Sequence, residues 1–480
     1  MHHHLGKIVD DPRIRQVLIA LGPFILTIVM GMSEAYSAIM LPQLQHPNSS
    51  IKIDRELASW IASMAALPMA AGSFSGGYLM DKIGRRAIHI WGSVPLILGW
   101  FVIAAADSST FILIGRFLTG LSDGILGAPP NVYIAETSHP SIRGVLMIST
   151  SATVVFGILF VHVLGTFLSW KLTALICGLI PIPFVIFMCF TPESPTFLAR
   201  KKKYEEASKA FLWCRGTSME SLKELDELLG RQRTINDASE NNIMKQIKNL
   251  SQPEVWKPLV IICVFFFTAQ ISGNTVIAAY TIDILEECGL SGDVFNAYFA
   301  MIVMDVFRLI SSIASLVFVK TMKRRTLAML SGYGVCASLF LLCGYSYIAP
   351  KMGISSTIFP MICLVCYVCF IAVGIQPLSW TMMGEIFPIA YRGVGTGLAS
   401  LTCYLFFFAV VQTFPYLLVV FGNIFAVFIF YGVCTGFGTV FLHVFLPETK
   451  DKPLHVIEDH FKSQKKEKQI ISMVDINSVE

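Results

Sequence analysis

The stretch that decides the fold runs from residue 77 to residue 86 and reads Gly77-Tyr78-Leu79-Met80-Asp81-Lys82-Ile83-Gly84-Arg85-Arg86. One acidic residue is followed by three basic residues, and the glycine between them permits a tight turn. Apolar segments adjoin this stretch on both sides, near residues 57–80 and 87–106. A transmembrane helix needs about 20 mostly apolar residues, so both segments are long enough. The pattern therefore predicts a short charged loop between two membrane helices.

The charges of this loop suggest a latch. Asp81 can pair with a basic residue or cap a neighbouring helix, and Arg85 and Arg86 can make bidentate pairs with carboxylates. Gly77 is expected to let two helices approach closely. A charged latch would stabilise one conformation of the protein over another. The simpler alternative is that the basic residues only set the orientation of the helices in the membrane.

Similar apolar segments recur along the whole chain. Hydrophobic residues make up 54% of the sequence and charged residues 14%, whereas a soluble domain carries about 25% charged residues. We predict an all-α membrane protein with twelve transmembrane helices in two six-helix halves. The predicted segments lie near 17–40, 57–80, 87–106, 111–134, 144–166, 170–190, 258–284, 295–319, 326–347, 356–383, 392–419 and 424–446.

The polar stretch between the sixth and seventh segments predicts the domain organisation. It begins after residue 190, contains Lys201–Lys203, and has runs typical of short amphipathic helices. We expect an N-terminal half at 1–190, a cytoplasmic linker at 191–256, a C-terminal half at 257–447 and a cytoplasmic tail at 448–480. Such a layout is typical of transporters whose solute path lies between two halves.

Lysine and arginine fall mainly in alternate loops, which predicts the orientation. The loops after the second, fourth, sixth, eighth and tenth segments are basic, and so is the tail, which places both termini in the cytoplasm. Asn48-Ser49-Ser50 is a glycosylation sequon in the first loop of the opposite side. We therefore expect a multi-pass protein of the plasma membrane that can be glycosylated at Asn48.

Other classes of function lack support in the sequence. The net charge is only +4, and the basic residues sit in short clusters between apolar segments, which argues against a nucleic-acid partner. Cys363, Cys366 and Cys369 could share a helix face, but no further metal ligands accompany them. A phosphate-binding loop and a catalytic dyad are missing as well. We expect no enzyme activity, no metal and no cofactor, with the lipid bilayer and a small solute as partners.

Several motifs together resemble the sugar-porter branch of the major facilitator superfamily. The loop at 77–86 is similar to the superfamily's loop motif, and further matches follow in the family's order. Segments at 31–36 and 58–61 are similar to insect facilitated trehalose transporters. The further matches are Gly115-Arg116-Phe117, Glu136 with Arg143-Gly144, Pro192-Glu193-Ser194-Pro195, Gln270-Ile271-Ser272-Gly273, Trp380 with Glu385 and Arg392-Gly393, and Pro447-Glu448-Thr449-Lys450.

The resemblance implies a facilitative carrier of a sugar, either trehalose or a hexose, that works as a monomer by alternating access. It also implies a cytoplasmic gate, in which ion pairs between helices and between halves close the inner side. The gate residues implied are Asp81, Arg85, Arg86, Arg116, Glu136, Arg143, Glu193, Glu385, Arg392 and Glu448. In the second half the family's loop is reduced to residues 321–325, without its first arginine and its glycine. We therefore expect a looser or differently paired latch there.

The residues expected to hold the solute depart further from the family. Sugars carry many hydroxyls, so a sugar site needs amide and aromatic side chains. Candidate solute contacts are Gln270, Gln376, Trp380, Ser151, Asn274, Thr275 and Arg308. Several of them replace the residue that the family has at that place.

Two charged residues inside predicted helices are unusual. Arg308 has Asp305 three residues before it, which permits either a local ion pair or a guanidinium that faces the solute. Glu34 lies in the first helix, where proton-coupled sugar porters have an acid, but their acid aligns better with Ser33. The sequence therefore favours a facilitative carrier. The alternatives are a proton-coupled sugar symporter, a carrier of other organic solutes, and a nutrient sensor that no longer transports.

Overall fold

The computed structural model describes residues 11–238, 252–290, 294–352, 358–387, 392–450 and Phe461. These residues form helices joined by short loops, with no strand among them. Twelve segments are long and apolar enough to cross a membrane. They are numbered here span 1 to span 12 in chain order, and the first six form the N-terminal half.

Several spans of the N-terminal half consist of two helical pieces. Spans 2, 4 and 6 are each interrupted once, whereas spans 1, 3 and 5 are continuous. Span 1 is Pro12–Gln45, span 2 is Arg55–Ser63 with Ala66–Ile83, span 3 is Arg85–Ala104, span 4 is Ser109–Leu126 with Pro129–Thr137, span 5 is Pro140–Phe167, and span 6 is Trp170–Leu179 with Pro181–Met188.

The C-terminal half holds spans 7 to 12, and it is more irregular. Span 7 is Pro253–Ile271, followed by the short helices Asn274–Ala279 and Thr281–Leu285 and by a π-helical turn at Glu286–Leu290. Span 8 is Val294–Thr321, span 9 is Arg324–Ile348 with a 3₁₀ turn at Ala349–Met352, span 10 is Ile358–Phe370 and Gln376–Ile386 joined by a π-helical turn at Ile371–Ile375, span 11 is Arg392–Phe421, and span 12 is Ile424–Phe445.

Local sequence explains where many of these helices begin. The Asp11 carboxylate accepts a hydrogen bond of 2.8 Å from the Arg13 amide at the start of span 1. Asp54 caps span 2 in the same manner, through the Leu57 amide at 2.8 Å. Proline stands in the first turn of the second piece of span 4, where its missing N–H costs nothing.

Three short helices of the linker, Pro195–Arg200, Tyr204–Arg215 and Met219–Ala238, lie at one end of the bundle. Gln16 of span 1 fixes the second of them, because its buried amide donates to the Cys214 carbonyl at 3.0 Å and accepts from the His139 amide at 2.6 Å. We call this end, which also holds the Asp81–Arg86 turn, the linker end. The opposite end, with the loop at residues 46–54, is called the far end.

The two halves pack against each other along three pairs of elements. Span 2 contacts span 11, span 5 contacts span 8, and span 1 contacts the short helices that follow span 7. Any solute path between the halves must lie among these elements, since they form the shared boundary.

Candidate gates and solute path

A compact ionic cluster occupies the linker end of the N-terminal half. The Arg85 guanidinium donates to both oxygens of Glu136, at 2.9 and 3.0 Å, and to Asp81 at 3.1 Å. The Ser194 hydroxyl donates to the same Glu136 carboxylate. The Arg85 side chain is only 6% exposed, so these carboxylates compensate a nearly buried charge. The structure thus brings together four residues from spans 2, 3 and 4 and the linker.

Glu193 belongs to the same cluster but acts on the backbone. Its carboxylate accepts from the amide of Arg85 at 2.9 Å and from that of Arg86 at 3.0 and 3.1 Å. A carboxylate at a helix N-terminus satisfies free amides and interacts favourably with the helix dipole. Gly84 precedes this helix with a φ of 112°, and a Cβ there would collide with the Glu193 carboxylate. The glycine is therefore required by its conformation and by the carboxylate beside it.

The C-terminal half repeats this arrangement at its own linker end. Arg324 donates to Glu385 at 3.1 Å, and the Thr449 hydroxyl donates to the same carboxylate at 2.5 Å. Glu448 accepts from the backbone amides of Arg324 at 3.0 Å and Arg325 at 3.2 Å. Glu385 thus corresponds to Glu136, and Glu448 corresponds to Glu193.

The second latch is looser than the first, as expected. Arg324 lies 3.1 and 3.5 Å from the Glu385 oxygens, and the described ion pairs give it no second carboxylate such as the one that Asp81 offers Arg85. The position equivalent to Gly84 is Lys323, whose φ is −67°, a value open to any residue. The turn in the second half is built without a left-handed residue, so the missing glycine does not prevent the Arg324–Glu385 pair from forming.

One correction concerns Gly77. A Cβ at this position would meet no heavy atom within 4 Å, so no close helix approach occurs there. The close approach is made one residue earlier, because a Cβ on Gly76 would lie 2.6 Å from the Ile125 carbonyl oxygen of span 4. Gly72 faces the same helix, where its Cβ would lie 2.5 Å from the Leu121 carbonyl oxygen.

One further gate candidate, Arg143, stands apart from these clusters. Arg143, in the first turn of span 5, donates to the carbonyl of Ser138 just before that helix at 3.3 Å. The side chain of Arg392 lies outside the residues that the structure describes. Between described residues, the ion pairs at the linker end join groups within one half, so the expected pairs between halves are not seen there.

The placement of Arg116 at the cytoplasmic gate is wrong. Arg116 lies near the far-end start of span 4, whereas Glu136 lies at the linker-end finish of the same span. Its fully buried guanidinium donates to the Ser33 carbonyl at 2.7 Å and to the Ser37 hydroxyl at 3.0 Å. Further donation goes to carbonyls of span 2. The residue therefore ties spans 1, 2 and 4 together inside the N-terminal half.

Span 7 is interrupted at Ser272 and Gly273, and three candidate solute contacts lie around that break. Gly273 has a φ of 90°, and the helix restarts at Asn274. Gln270 is buried and donates to the Cys403 sulfur at 3.4 Å. Thr275 is buried with its hydroxyl unpaired, and Asn274 is half-buried with no side-chain hydrogen bond to a described residue. Unpaired polar groups at a helix break are suited to a polar solute.

Span 10 supplies the aromatic part of this region. Its π-helical turn ends just before Gln376, which is half-buried. Trp380 is half-buried as well, and its ring packs edge-on against Phe266 with centroids 5.0 Å apart. Tyr404 of span 11 lies 6.1 Å from the Trp380 ring. The Gln270 and Trp380 neighbourhoods therefore adjoin, because Tyr404 follows Cys403 directly in span 11.

Ser151 lies on span 5, in the other half. It is half-buried, and the described contacts do not bring it to Gln270 or Trp380. Span 5 contacts the C-terminal half, so Ser151 stays a candidate solute contact.

Arg308 forms the local pair that its sequence spacing permits. A guanidinium nitrogen of Arg308 lies 3.4 Å from an Asp305 oxygen, and both side chains are less than 8% exposed. The other Asp305 oxygen contacts Nδ1 of His162 in span 5. The Nε of Arg308 is buried without a hydrogen-bond partner among the described residues.

Sequence reasoning missed His162, which is fully buried. Its other ring nitrogen, Nε2, lies 3.3 Å from the Ala35 carbonyl oxygen of span 1. The signal in the sequence is that His162 is the only titratable residue of span 5 after Arg143, and its partner Asp305 is too distant in the sequence to suggest a pair.

Further contacts between the halves lie in the far-end part of the bundle. The Ser63 hydroxyl donates to the Gln412 side chain at 2.6 Å, and the Ser59 hydroxyl donates to the Gln412 carbonyl at 3.0 Å. Trp60 packs against Phe408 with ring centroids 6.0 Å apart. Together with the His162–Asp305 contact, they close the boundary between the halves toward the far end.

Comparison with known families now adds to this geometry. The sequence model described as "Sugar (and other) transporter" matches residues 19–461, which is most of the chain. The chain belongs to this family. The resemblance read from the motifs is thereby confirmed, and so is the fold class of twelve transmembrane helices in two halves.

The chain is similar to insect proteins named for trehalose transport. It is 32% identical to the facilitated trehalose transporter Tret1 of Drosophila grimshawi over 92% of its own length and 47% of that protein. It is 30% identical to a Tret1-2 homologue of Drosophila sechellia over 92% of its own length and 90% of that protein. It spans about half the length of the former and of the Drosophila willistoni Tret1.

Solved structures show the same fold. The proton:xylose symporter XylE bound to 6-bromo-6-deoxy-D-glucose superposes with a TM-score of 0.76 at 20% identity, over 93% of this chain and 99% of that one. The inward-open xylose transporter XylE from E. coli gives 0.75 at 20% identity, over 92% and 99%. These structures show that the chain has the same twelve-helix fold.

Proposed function

We propose that this protein is a facilitative carrier that moves a sugar, trehalose or a hexose, across the membrane by alternating access. The observation that carries the proposal is the region around the break in span 7 and the π-helical turn in span 10. There, amides, unpaired hydroxyls and aromatic rings adjoin at the boundary between two halves of a sugar transporter fold.

The solute contacts follow from that region. Gln270, Gln376 and Asn274 would exchange hydrogen bonds with sugar hydroxyls, and Thr275 would add its unpaired hydroxyl. Trp380 would stack on the apolar face of a sugar ring. Ser151 would approach from span 5 once a solute draws the halves together. Arg308 would influence the site indirectly, since its guanidinium is paired with Asp305.

The paired ionic clusters would serve as the gate at the linker end. Asp81, Arg85 and Glu136 keep one half rigid there, and Arg324 and Glu385 keep the other. Arg86, Glu193 and Glu448 support these clusters through the helix starts. Arg143 and Arg392 would each pair with a carboxylate of the opposite half when the linker end closes. The far-end contacts of the present structure favour a path that opens toward the linker end.

The basic loops support an orientation in which the linker end faces the cytoplasm, together with both termini. The first loop of the far end would then face outside. Asn48 is exposed in that loop, as a glycosylation site must be. We propose a multi-pass protein of the plasma membrane that functions as a monomer and can carry a glycan on Asn48.

Transport by purified protein in lipid vesicles tests the proposal. Vesicles should take up labelled trehalose or glucose, and preloaded unlabelled sugar should accelerate this uptake by exchange, with no need for a pH gradient. An acidic solute such as a sugar phosphate belongs in the same panel. Uptake that requires a proton gradient would make the protein a symporter. Sugar binding without uptake or exchange would make it a sensor and contradict the proposal.

A further inference from the structure

Glu34 of span 1 is a half-buried acid whose carboxylate makes no hydrogen bond and no ion pair with a described residue. A charged side chain within a transmembrane helix is costly unless water or another polar group meets it. The contacts between the helices described above do not use Glu34. An unpaired acid at this depth therefore indicates a role toward a group that enters from outside the protein.

The neighbours of Glu34 place its carboxylate beside the candidate solute path. It lies within electrostatic reach of Arg308 in span 8 and of Cys403 and Tyr404 in span 11. Span 8 packs against span 5 and span 11 packs against span 2, so these two spans border the first half at different places. A group on span 1 that is near both spans lies between them. Gln270 bonds to Cys403, so Glu34 adjoins the break in span 7.

The charged groups near Glu34 leave no cation to pair with it among the described residues. The guanidinium that reaches Glu34 belongs to Arg308, which is already paired with Asp305. Asp123 of span 4 is also within electrostatic reach of Glu34, and both of its oxygens are fully buried without a hydrogen-bond partner in the described part of the chain. Asp123 adds either a negative charge or, when protonated, none. A donor for Glu34 must therefore come with the solute.

We propose that Glu34 binds the solute directly and selects it by charge. A carboxylate has two oxygens that only accept, so it suits a sugar that presents two neighbouring hydroxyl groups. Hydrogen bonds to an ionised group are roughly twice as strong as those between neutral groups. An ammonium group on the sugar strengthens the interaction, and a phosphate group is repelled. The accepted class is thus neutral sugars and amino sugars, and this inference rests on the proposed sugar transport.

The charge of Glu34 separates its role from that of the other candidate contacts. An amide both donates and accepts, so Gln270, Gln376 and Asn274 can bind a hydroxyl, an ammonium or a phosphate group alike. The donor that would attract a phosphate is the Arg308 guanidinium, and Asp305 already compensates its charge. Discrimination between cationic and anionic sugars therefore falls to Glu34.

Binding to the purified protein in lipid nanodiscs tests the inference without transport. One series of probes is glucose, glucosamine and glucose 6-phosphate, and the other is trehalose, trehalosamine and trehalose 6-phosphate. Quenching of tryptophan fluorescence reports binding, because the Trp380 ring lies 6.1 Å from the ring of Tyr404. In the series that binds, the amino sugar should bind at least as tightly as the neutral sugar. The phosphate should bind about tenfold more weakly or less.

One variant and a matched control assign this preference to Glu34. Glu34→Gln keeps the shape of the side chain and removes its charge, so the amino sugar should bind about tenfold more weakly and the neutral sugar about threefold more weakly. Binding of the phosphate should not weaken. Glu206→Gln makes the same chemical change on a linker residue that is 57% exposed. This control should keep the affinities of the unmodified protein.

Three results would overturn the inference. The first is an unmodified protein that binds the sugar phosphate as tightly as the neutral sugar, which decides the matter without any variant. The second is a Glu34→Gln protein with the preference of the control. The third is the absence of binding in both series. Binding with the expected preference but without uptake would contradict the proposed carrier alone and would leave the role of Glu34 intact.

Discussion

Arg85 donates two hydrogen bonds to the Glu136 carboxylate, at 2.9 and 3.0 Å, so a planar fork meets a planar acceptor. Arg324 and Glu385 form the corresponding pair in the other half. Each cluster binds the helices of its own half at the linker end. Each half can therefore move there as one piece, and its charges stay compensated during the movement.

Replacement of Arg85 by lysine tests this bidentate pair. Lysine keeps the charge but replaces the fork with a single ammonium group. A hydrogen bond to a charged group contributes about 1.5 kcal/mol or more, so we expect the free energy of unfolding to fall by about that amount. The sugar uptake rate should fall about fivefold. Thermal unfolding and initial uptake rates measure the two effects.

Lys171→Ala serves as the control for this change. Lys171 pairs with Asp107 at 3.1 Å, but Asp107 is 89% exposed, so water and salt weaken the pair. Its loss should leave stability and uptake unchanged. An Arg85→Lys protein as stable as the control would show that the fork is not needed.

Adjacent glycines in span 2 should respond in opposite ways to alanine. Gly76→Ala places a Cβ 2.6 Å from the Ile125 carbonyl oxygen, so spans 2 and 4 must separate, and we expect destabilisation by about 2 kcal/mol. Gly77→Ala meets nothing and gains helix propensity, so stability should stay equal or rise by about 0.5 kcal/mol. Unfolding midpoints of the two variants decide this. Equal loss in both would contradict the packing described here.

Trp380 should determine the affinity for the sugar. Trp380→Ala removes the ring that packs on Phe266, and we expect the KM for uptake to rise about tenfold. Trp380→Phe should recover part of the loss. Trp91→Ala is the control, since Trp91 is 69% exposed on span 3 and lies outside the candidate path. A KM that rises equally in the control would remove Trp380 from the solute site.

Arg308→Lys separates an internal ion pair from a solute contact. Lysine can still compensate Asp305, which the structure places 3.4 Å from the Arg308 guanidinium. We therefore expect the relative uptake of trehalose, glucose and a sugar phosphate to remain as in the unmodified protein. A changed order of preference would mean that the guanidinium touches the solute.

Much of the linker-end geometry could be predicted from sequence, because short motifs fix local chemistry. The residues Asp81, Arg85 and Glu136 were expected near one another, and the structure places them in contact. The looser pair in the second half was also expected, but the missing glycine does not prevent that pair from forming. A missing glycine matters only where φ is positive, and the backbone at Lys323 avoids that region.

Depth in the membrane was harder to predict. Arg116 belongs to a family motif, but the motif does not show how deep in the membrane its charge lies. The Arg116 guanidinium donates to backbone carbonyl oxygens inside the N-terminal half. His162 and Asp305 are 143 positions apart, and only the packing of spans 5 and 8 brings them together. Contacts of that kind depend on the whole bundle.

The break in span 7 has a consequence for how this carrier can be altered. A Cβ on Gly273 would lie 3.0 Å from the Tyr431 ring and 3.6 Å from the Tyr367 hydroxyl, so the joint admits glycine alone. Asn274, the next residue, is only half-buried and bonds to no described side chain. If the proposed sugar site is right, Asn274 can be varied to change which sugar is accepted while the glycine that shapes the break stays unchanged.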